Sequence, residues 1–178
     1  MSPIFLISGT PASGKSSVSL ALMQRFARGV HLPVDDLREM VVSGIAHPIP
    51  EWTEETARQF SLARGNAALM ARRYSSAGFA VAVDDVCSSR DFHADYETHF
   101  ADVQPHLVLL LPRLEVALGR NSARTHKDFH HQTLIGAIRY LHAEFAAMDV
   151  SDWLVIDSSE FSVKETVNLI LERSGVNP

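Results

Sequence analysis

Gly9, Gly14, Lys15 and Ser16 stand at the spacing Gly-x-x-x-x-Gly-Lys-Ser, with Thr10, Pro11, Ala12 and Ser13 filling the interval. Glycines let a backbone curl until successive N–H groups converge, and a helix starting there adds the positive end of its dipole. That concavity binds phosphate. The Lys15 ammonium would reach the β- and γ-phosphates of a nucleoside triphosphate and the Ser16 hydroxyl would hold Mg²⁺. With Ser17 continuing the first helical turn, residues 9–17 read as a nucleotide-binding segment. ATP is the default donor, because no Asn-Lys-x-Asp segment is present to read guanine.

Moving a phosphoryl group requires clamped phosphates, a metal ion, an oriented nucleophile and positive charge where the equatorial oxygens gather negative charge. Asp35 and Asp36 follow a short apolar run; one of them can accept the proton of an acceptor hydroxyl, and Asp36 is assigned the capping of a helix from Leu37. Asp84 and Asp85 follow another apolar run in the manner of a Walker B aspartate, holding the Mg²⁺ water shell or the acceptor. Adjacent strand residues point oppositely, so only one of the two faces the site. Arg120 and Arg124, four apart on a helix, can reach down together onto a phosphate or the adenine, and residues 113–131 read as an arginine-bearing lid. His130 and His131 are adjacent and cannot converge on one metal ion, Trp52 reads as a partly exposed cover on the core, and Cys87 as a buried filler.

Five apolar runs carry these groups: Ile4–Ile7, Val30–Val34, Phe79–Val83, Leu107–Leu111 and Trp153–Ile156. Helical patterns alternate with them. Val18, Ala21, Leu22 and Phe26 mark the first face; Phe60, Ala63, Ala67, Met70 and Tyr74 mark a stripe between Thr53 and Ser76; Leu134, Ile138, Leu141, Phe145 and Met148 mark another. A further helical stretch is expected from Leu37 to about Ser43, His47–Trp52 with its two prolines is a loop, and Ser162-x-x-Glu165 is a capping box. Strands alternating with helices predict an α/β fold, a five-stranded parallel sheet with helices on both faces, whose functional groups gather beyond the carboxyl ends of the strands. The acidic pairs, Asp157 and the glycine-rich loop all fall there.

The chain has 178 residues, enough for one domain, with 46% hydrophobic and 21% charged residues. No apolar run is long enough to cross a bilayer, and the single cysteine and the absence of a leader pattern at Met1–Ile7 suggest a cytoplasmic protein. A net charge of −5 disfavours nucleic acid as a partner without excluding it.

Taken together, these residues resemble the small AAA-type P-loop kinases of the group that holds chloramphenicol phosphotransferase, zeta toxins and the kinase domain of polynucleotide kinases. Val34-Asp35-Asp36-Leu37 is similar to the Val-Asp-Ser-Leu stretch of chloramphenicol phosphotransferase, and Val83-Asp84-Asp85-Val86 to its Ile-Asp-Asp-Val stretch. Asp35-Asp36-Leu37-Arg38 and Arg120-Asn121-Ser122-Ala123-Arg124 resemble the Asp-Asp-Tyr-Arg and Arg-Asn-Ser-Lys-Arg stretches of a phage-type polynucleotide kinase. The resemblance implies a three-layer kinase fold using ATP and Mg²⁺, with Asp35 as base, Arg38 and Asp85 on the acceptor, and Arg120 and Arg124 on transferred charge. It implies transfer to a hydroxyl of a small molecule; the alternatives are a nucleic-acid 5′-hydroxyl and a nucleotide switch with no acceptor. Ala12 departs from the glycine common at its position.

Overall fold

Ile4 and Leu6 leave strand β1 (Ile4–Gly9) on one side and Phe5 and Ile7 on the other, and this alternation splits the apolar core into two layers. The structure, a computed structural model, describes residues 1–123 and 131–178. β1 is central in a five-stranded sheet ordered β2 (Gly29–Pro33), β3 (Ala80–Asp84), β1, β4 (His106–Leu110), β5 (Trp153–Ile156), parallel at every pairing. β1 and β3 are buried along their whole length, which explains why they read as continuous apolar runs.

On the Leu6 side the sheet meets α3 (Glu54–Ser76) through Ala63, Ala67, Ala68 and Ala71, and α6 (His131–Ala147) through Phe145. Small residues let the 23-residue α3 lie close against the sheet. The Phe5 side is covered by α1 (Lys15–Met23) through Val18, Leu22 and Met23, and by α7 (Val163–Ser174) through Val167, Ile170 and Leu171. Two more helices follow strand ends, α2 (Val34–Glu39) after β2 and α5 (Leu114–Ser122) after β4. This is the expected three-layer α/β architecture.

Several boundaries differ from the sequence reading. β2 ends at Pro33 and α2 begins at Val34, so the helix expected over Leu37–Ser43 starts three residues earlier and stops at Glu39. Asp36 therefore does not cap it. The N-cap is Pro33, whose extended backbone closes the strand, and Asp35 and Asp36 sit in the first helical turn, where carboxylates favour the positive end of the dipole. On α3 the buried stripe keeps Phe60, Ala63 and Ala67 but drifts by one residue to Ala68, Ala71 and Ser75, leaving Tyr74 exposed with its ring edge-on to Phe79. Thr53 caps α3, and the capping box at Ser162 and Glu165 opens α7. A helix absent from the sequence reading, α4 (Ser89–Asp95), is opened by another such box, Ser88 with Asp91, and is followed by a 3-10 turn over Glu97–Phe100.

Cys87 is fully buried beside β1: its N–H donates to Ser8 Oγ (3.0 Å), and the Ser8 hydroxyl donates to Cys87 O (2.6 Å). Burial pushes its thiol pKa well above the ordinary value. Iodoacetamide at pH 8 is therefore expected to leave the native protein unmodified and to add one label per chain in urea, as read by intact mass. Prompt labelling of native protein would contradict the packing around Ser8.

Candidate active site

The carboxyl ends of the strands bring four segments together: Gly9–Ser17 after β1, Asp35–Arg38 after β2, Asp84–Asp85 at the end of β3, and Ser158 after β5. In the first, Gly9 has φ +151° and Gly14 φ +100°, the positive-φ region that only glycine enters freely. A Cβ on Gly9 would lie 2.4 Å from Leu110 O, so the loop touches β4 directly. Ala12 holds φ +66°. For a residue with a Cβ that costs about 1–2 kcal/mol, which explains why glycine is common at its position in the group it resembles.

The loop carries a polar surplus. Thr10 Oγ1 and Ser13 Oγ are buried with no hydrogen-bond partner among the described residues, a cost of about 1–3 kcal/mol each when left unmet. Lys15 Nζ donates to Thr10 O (3.1 Å), folded back over the loop. Converging donors, an unmet pair of hydroxyls and a helix N-terminus fit the phosphates of a nucleotide, and Ser16, exposed on the first turn of α1, fits the metal that accompanies them.

Asp84 and Asp85 are both buried but belong to different networks. Asp84 turns to the α1 side: His31 Nε2 lies 3.3 Å from its Oδ2, and Ser16 and Lys15 also act on it. Burial raises its pKa, yet His31, Lys15 and Ser16 outweigh that and hold it below the usual carboxylate value. Asp85 accepts from Arg64 Nε (2.8 Å) and the Tyr96 hydroxyl (3.0 Å) on Oδ2 and from Val86 N (2.7 Å) on Oδ1. Arg64 in turn pairs with Asp95 (2.9 Å) and Asp91 (3.4 Å) and donates to Val86 O (2.9 Å). Burial works against the Arg64 charge, but the carboxylates around it raise its pKa.

Asp35 is exposed at the start of α2 and close enough to Asp85 to repel its charge. One turn on, Arg38 is buried; Nη1 donates to Ala46 O (3.0 Å), the guanidinium lies 4.8 Å from the Phe60 ring centre, and Nε has no partner among the described residues. Trp52 stacks on Phe60 at 5.1 Å and is 55% exposed, as expected of a cover on the core. Gln59 braces the loop before α3, accepting from Ala46 N (2.9 Å) and donating to Gly44 O (2.8 Å).

Arg120 reaches the phosphate loop from α5. Nη1 donates to Ser13 O (3.2 Å) and Nη2 to Ser158 O (2.8 Å), so the guanidinium ties the loop to the segment after β5. Of the expected lid, residues 114–122 form α5, whose Ala117 and Asn121 are buried. Arg124 and His130 lie outside the described residues. Sequence reasoning missed Arg64, Tyr96 and His31; an arginine one turn after Phe60 on an alanine-rich buried stripe was the available signal for the first.

Residues 4–147, most of the chain, match the family described as AAA domain. The chain belongs to that family. No curated protein matches it at a significant level. Among solved structures, this AAA domain is similar to a sugar kinase from Janibacter sp. HTCC2649, with TM-score 0.71 and 15% identity over 100% of this chain and 97% of that one. A tunicamycin resistance protein from Deinococcus radiodurans gives TM-score 0.65 and 16% identity over 99% and 98% of the two chains. Shikimate kinase from Bacteroides thetaiotaomicron gives 0.67 and 13% over 98% and 99%. The fold is that of the P-loop kinases.

Because Arg64 is buried among carboxylates, Arg64→Ala is expected to lower unfolding free energy in urea by about 3–5 kcal/mol, leaving Asp85 buried without its cation. Arg58→Ala, which removes the exposed pair with Glu55, should leave it nearly unchanged, because solvent screens an exposed pair. Similar losses in the two variants would contradict the buried network.

Proposed function

We propose that this AAA domain is an ATP-dependent kinase that moves the γ-phosphoryl group to a hydroxyl of a small molecule, in the manner of chloramphenicol phosphotransferase. The observation that carries the reading is the meeting, at the carboxyl ends of the strands, of a phosphate loop with unmet buried hydroxyls and an exposed carboxylate, Asp35, one helical turn from the buried Arg38. Similarity in fold to kinases of sugars and of shikimate supports a small hydroxylated acceptor.

In this reading the loop amides, Thr10, Ser13 and Lys15 bind and orient the donor phosphates, with Lys15 leaving Thr10 O to do so. Ser16 and Asp84 would hold Mg²⁺, Asp84 through water; the ion supplies neutralisation of phosphate charge. Asp35 takes the proton of the acceptor hydroxyl. Arg38 binds the acceptor, and Asp85, close enough to Asp35 to feel its charge, borders the acceptor side. Arg120 keeps the phosphate loop in place at Ser13 and, with Arg124, gathers the charge of the transferred group.

A second reading, phosphorylation of a nucleic-acid 5′-hydroxyl, is favoured by Arg38, which no carboxylate pairs among the described residues. The two readings separate with salt. An oligonucleotide acceptor held at several phosphates loses affinity steeply between about 50 and 200 mM salt, whereas a small neutral acceptor does not. The net charge of −5 favours the small acceptor. In a screen with γ-labelled ATP, label is expected on a small hydroxyl compound, with little dependence on salt; efficient, salt-sensitive labelling of oligonucleotide 5′ ends would support the second reading instead.

Lys15→Ala is expected to lower phosphoryl transfer by roughly 10²–10³ or more, with the far-UV circular dichroism unchanged. Retained transfer would sink the assignment of the loop.

Asp35→Asn is expected to lower kcat by roughly 10²–10⁴ with little change in ATP affinity, since a base acts on the acceptor and not on the donor. Asp36→Asn should do much less. Steady-state kinetics with the two effects exchanged would move the base to Asp36.

A further inference from the structure

β2 is an edge strand, and its register against β3 sets His31 opposite Ala82 and Pro33 opposite Asp84. Residues two apart on a strand leave the same face, and diagonal neighbours on adjacent strands lie within reach of a long side chain. Ala82 packs on the α1 side of the sheet, so His31 and Asp84 emerge on that side too, beneath the start of α1. The imidazole closes the diagonal, with Nε2 at 3.3 Å from Asp84 Oδ2. An ionised carboxylate only accepts, so the imidazole donates. The remaining groups acting on Asp84 are Ser16 and Lys15, both from the nucleotide-binding segment.

A carboxylate turns freely about its last torsion, which is broad and roughly two-fold. Asp84 is 6% exposed, so bulk solvent has little hold on that torsion. Among the described residues that act on Asp84, His31 is the donor from outside the nucleotide-binding segment. We propose that His31 is a positioning residue: its Nε2–H holds the Asp84 carboxylate turned toward Ser16, so that the pair is preorganised for the water shell of Mg²⁺. The inference rests on the reading of Ser16 and Asp84 as the metal site. Outer partners that fix the orientation of a liganding carboxylate typically change metal affinity by about 10–100-fold.

The test is calorimetric titration of ATP, with and without Mg²⁺, into the intact chain and into His31→Leu, His31→Ala and His31→Gln. Leucine and alanine lack the donor and differ in volume, so neither a cavity nor overpacking accounts for a loss they share. The glutamine amide offers an N–H at a similar reach. The wild type is expected to bind ATP more tightly with Mg²⁺. His31→Leu and His31→Ala should lose about 10-fold or more of that gain while binding metal-free ATP as the wild type does, and His31→Gln should recover most of it. A full Mg²⁺ gain in the leucine and alanine variants would overturn the proposal, as would equal losses with and without the metal, which mark a general distortion of the strand. Should one of the two not fold, as judged by thermal melting, the other decides with His31→Gln. A wild type whose ATP affinity ignores Mg²⁺ would bring down the metal-site reading itself, and His31's part with it.

Discussion

Two carboxylates on successive residues at the end of a parallel strand must leave the sheet on opposite faces, and the site is organised around that constraint. Asp84 goes to the face covered by α1, where His31, Ser16 and Lys15 act on it. Asp85 goes to the face covered by α3, where Arg64 and Tyr96 hold it. One dipeptide thus serves the phosphate-loop face and the α3 face of the sheet. A shift of register by a single residue would exchange the two, parting Asp84 from His31, Lys15 and Ser16 and Asp85 from Arg64 and Tyr96.

The structural half reaches the proposed acceptor side through α3. Phe60 and Arg64 are one turn apart on its buried stripe, and the Phe60 ring has the guanidinium of Arg38 at 4.8 Å and that of Arg64 at 5.5 Å, with Trp52 stacked upon it. Gln59, next to Phe60, fastens the loop at Gly44 and Ala46, whose carbonyl also receives Arg38. Burying a charged side chain is expensive unless its charge and its donors are met. Among the described residues, this is done for Arg64 by three carboxylates and a carbonyl, and for Arg38 by a carbonyl and an aromatic face. The difference between the two arginines separates a strut from a group with capacity left for a ligand.

Most of the layer order was legible in the sequence because it depends on local alternation. Trp153–Ile156 is the observed β5 to the residue, and the other strands begin or end within one or two positions of their apolar runs. The phosphate loop was legible because its spacing encodes backbone shape, down to Ala12 in the place of a glycine and carrying the positive φ that glycine would supply. Asp36 was misread because a carboxylate before an apolar residue looks the same as a cap and as a first-turn residue; Pro33, which closes the strand, decided between them. α4 was missed although Ser88 and Asp91 form its box. The pairs His31–Asp84 and Arg64–Asp85 join residues 53 and 21 positions apart, and Arg120 meets Ser13 across 107. No local pattern announces such partners, since they exist only once strand order and register are set.

The division of labour within the Asp84–Asp85 pair is tested most directly by the Mg²⁺-dependent part of ATP affinity, measured by calorimetry on Asp84→Asn and Asp85→Asn. The account predicts that Asp84→Asn loses that part by about 10-fold or more, while Asp85→Asn keeps it within about twofold. A chain in which Asp85→Asn abolishes the metal dependence and Asp84→Asn retains it would contradict the account, for the carboxylate under α3 would then be the one serving the phosphate loop.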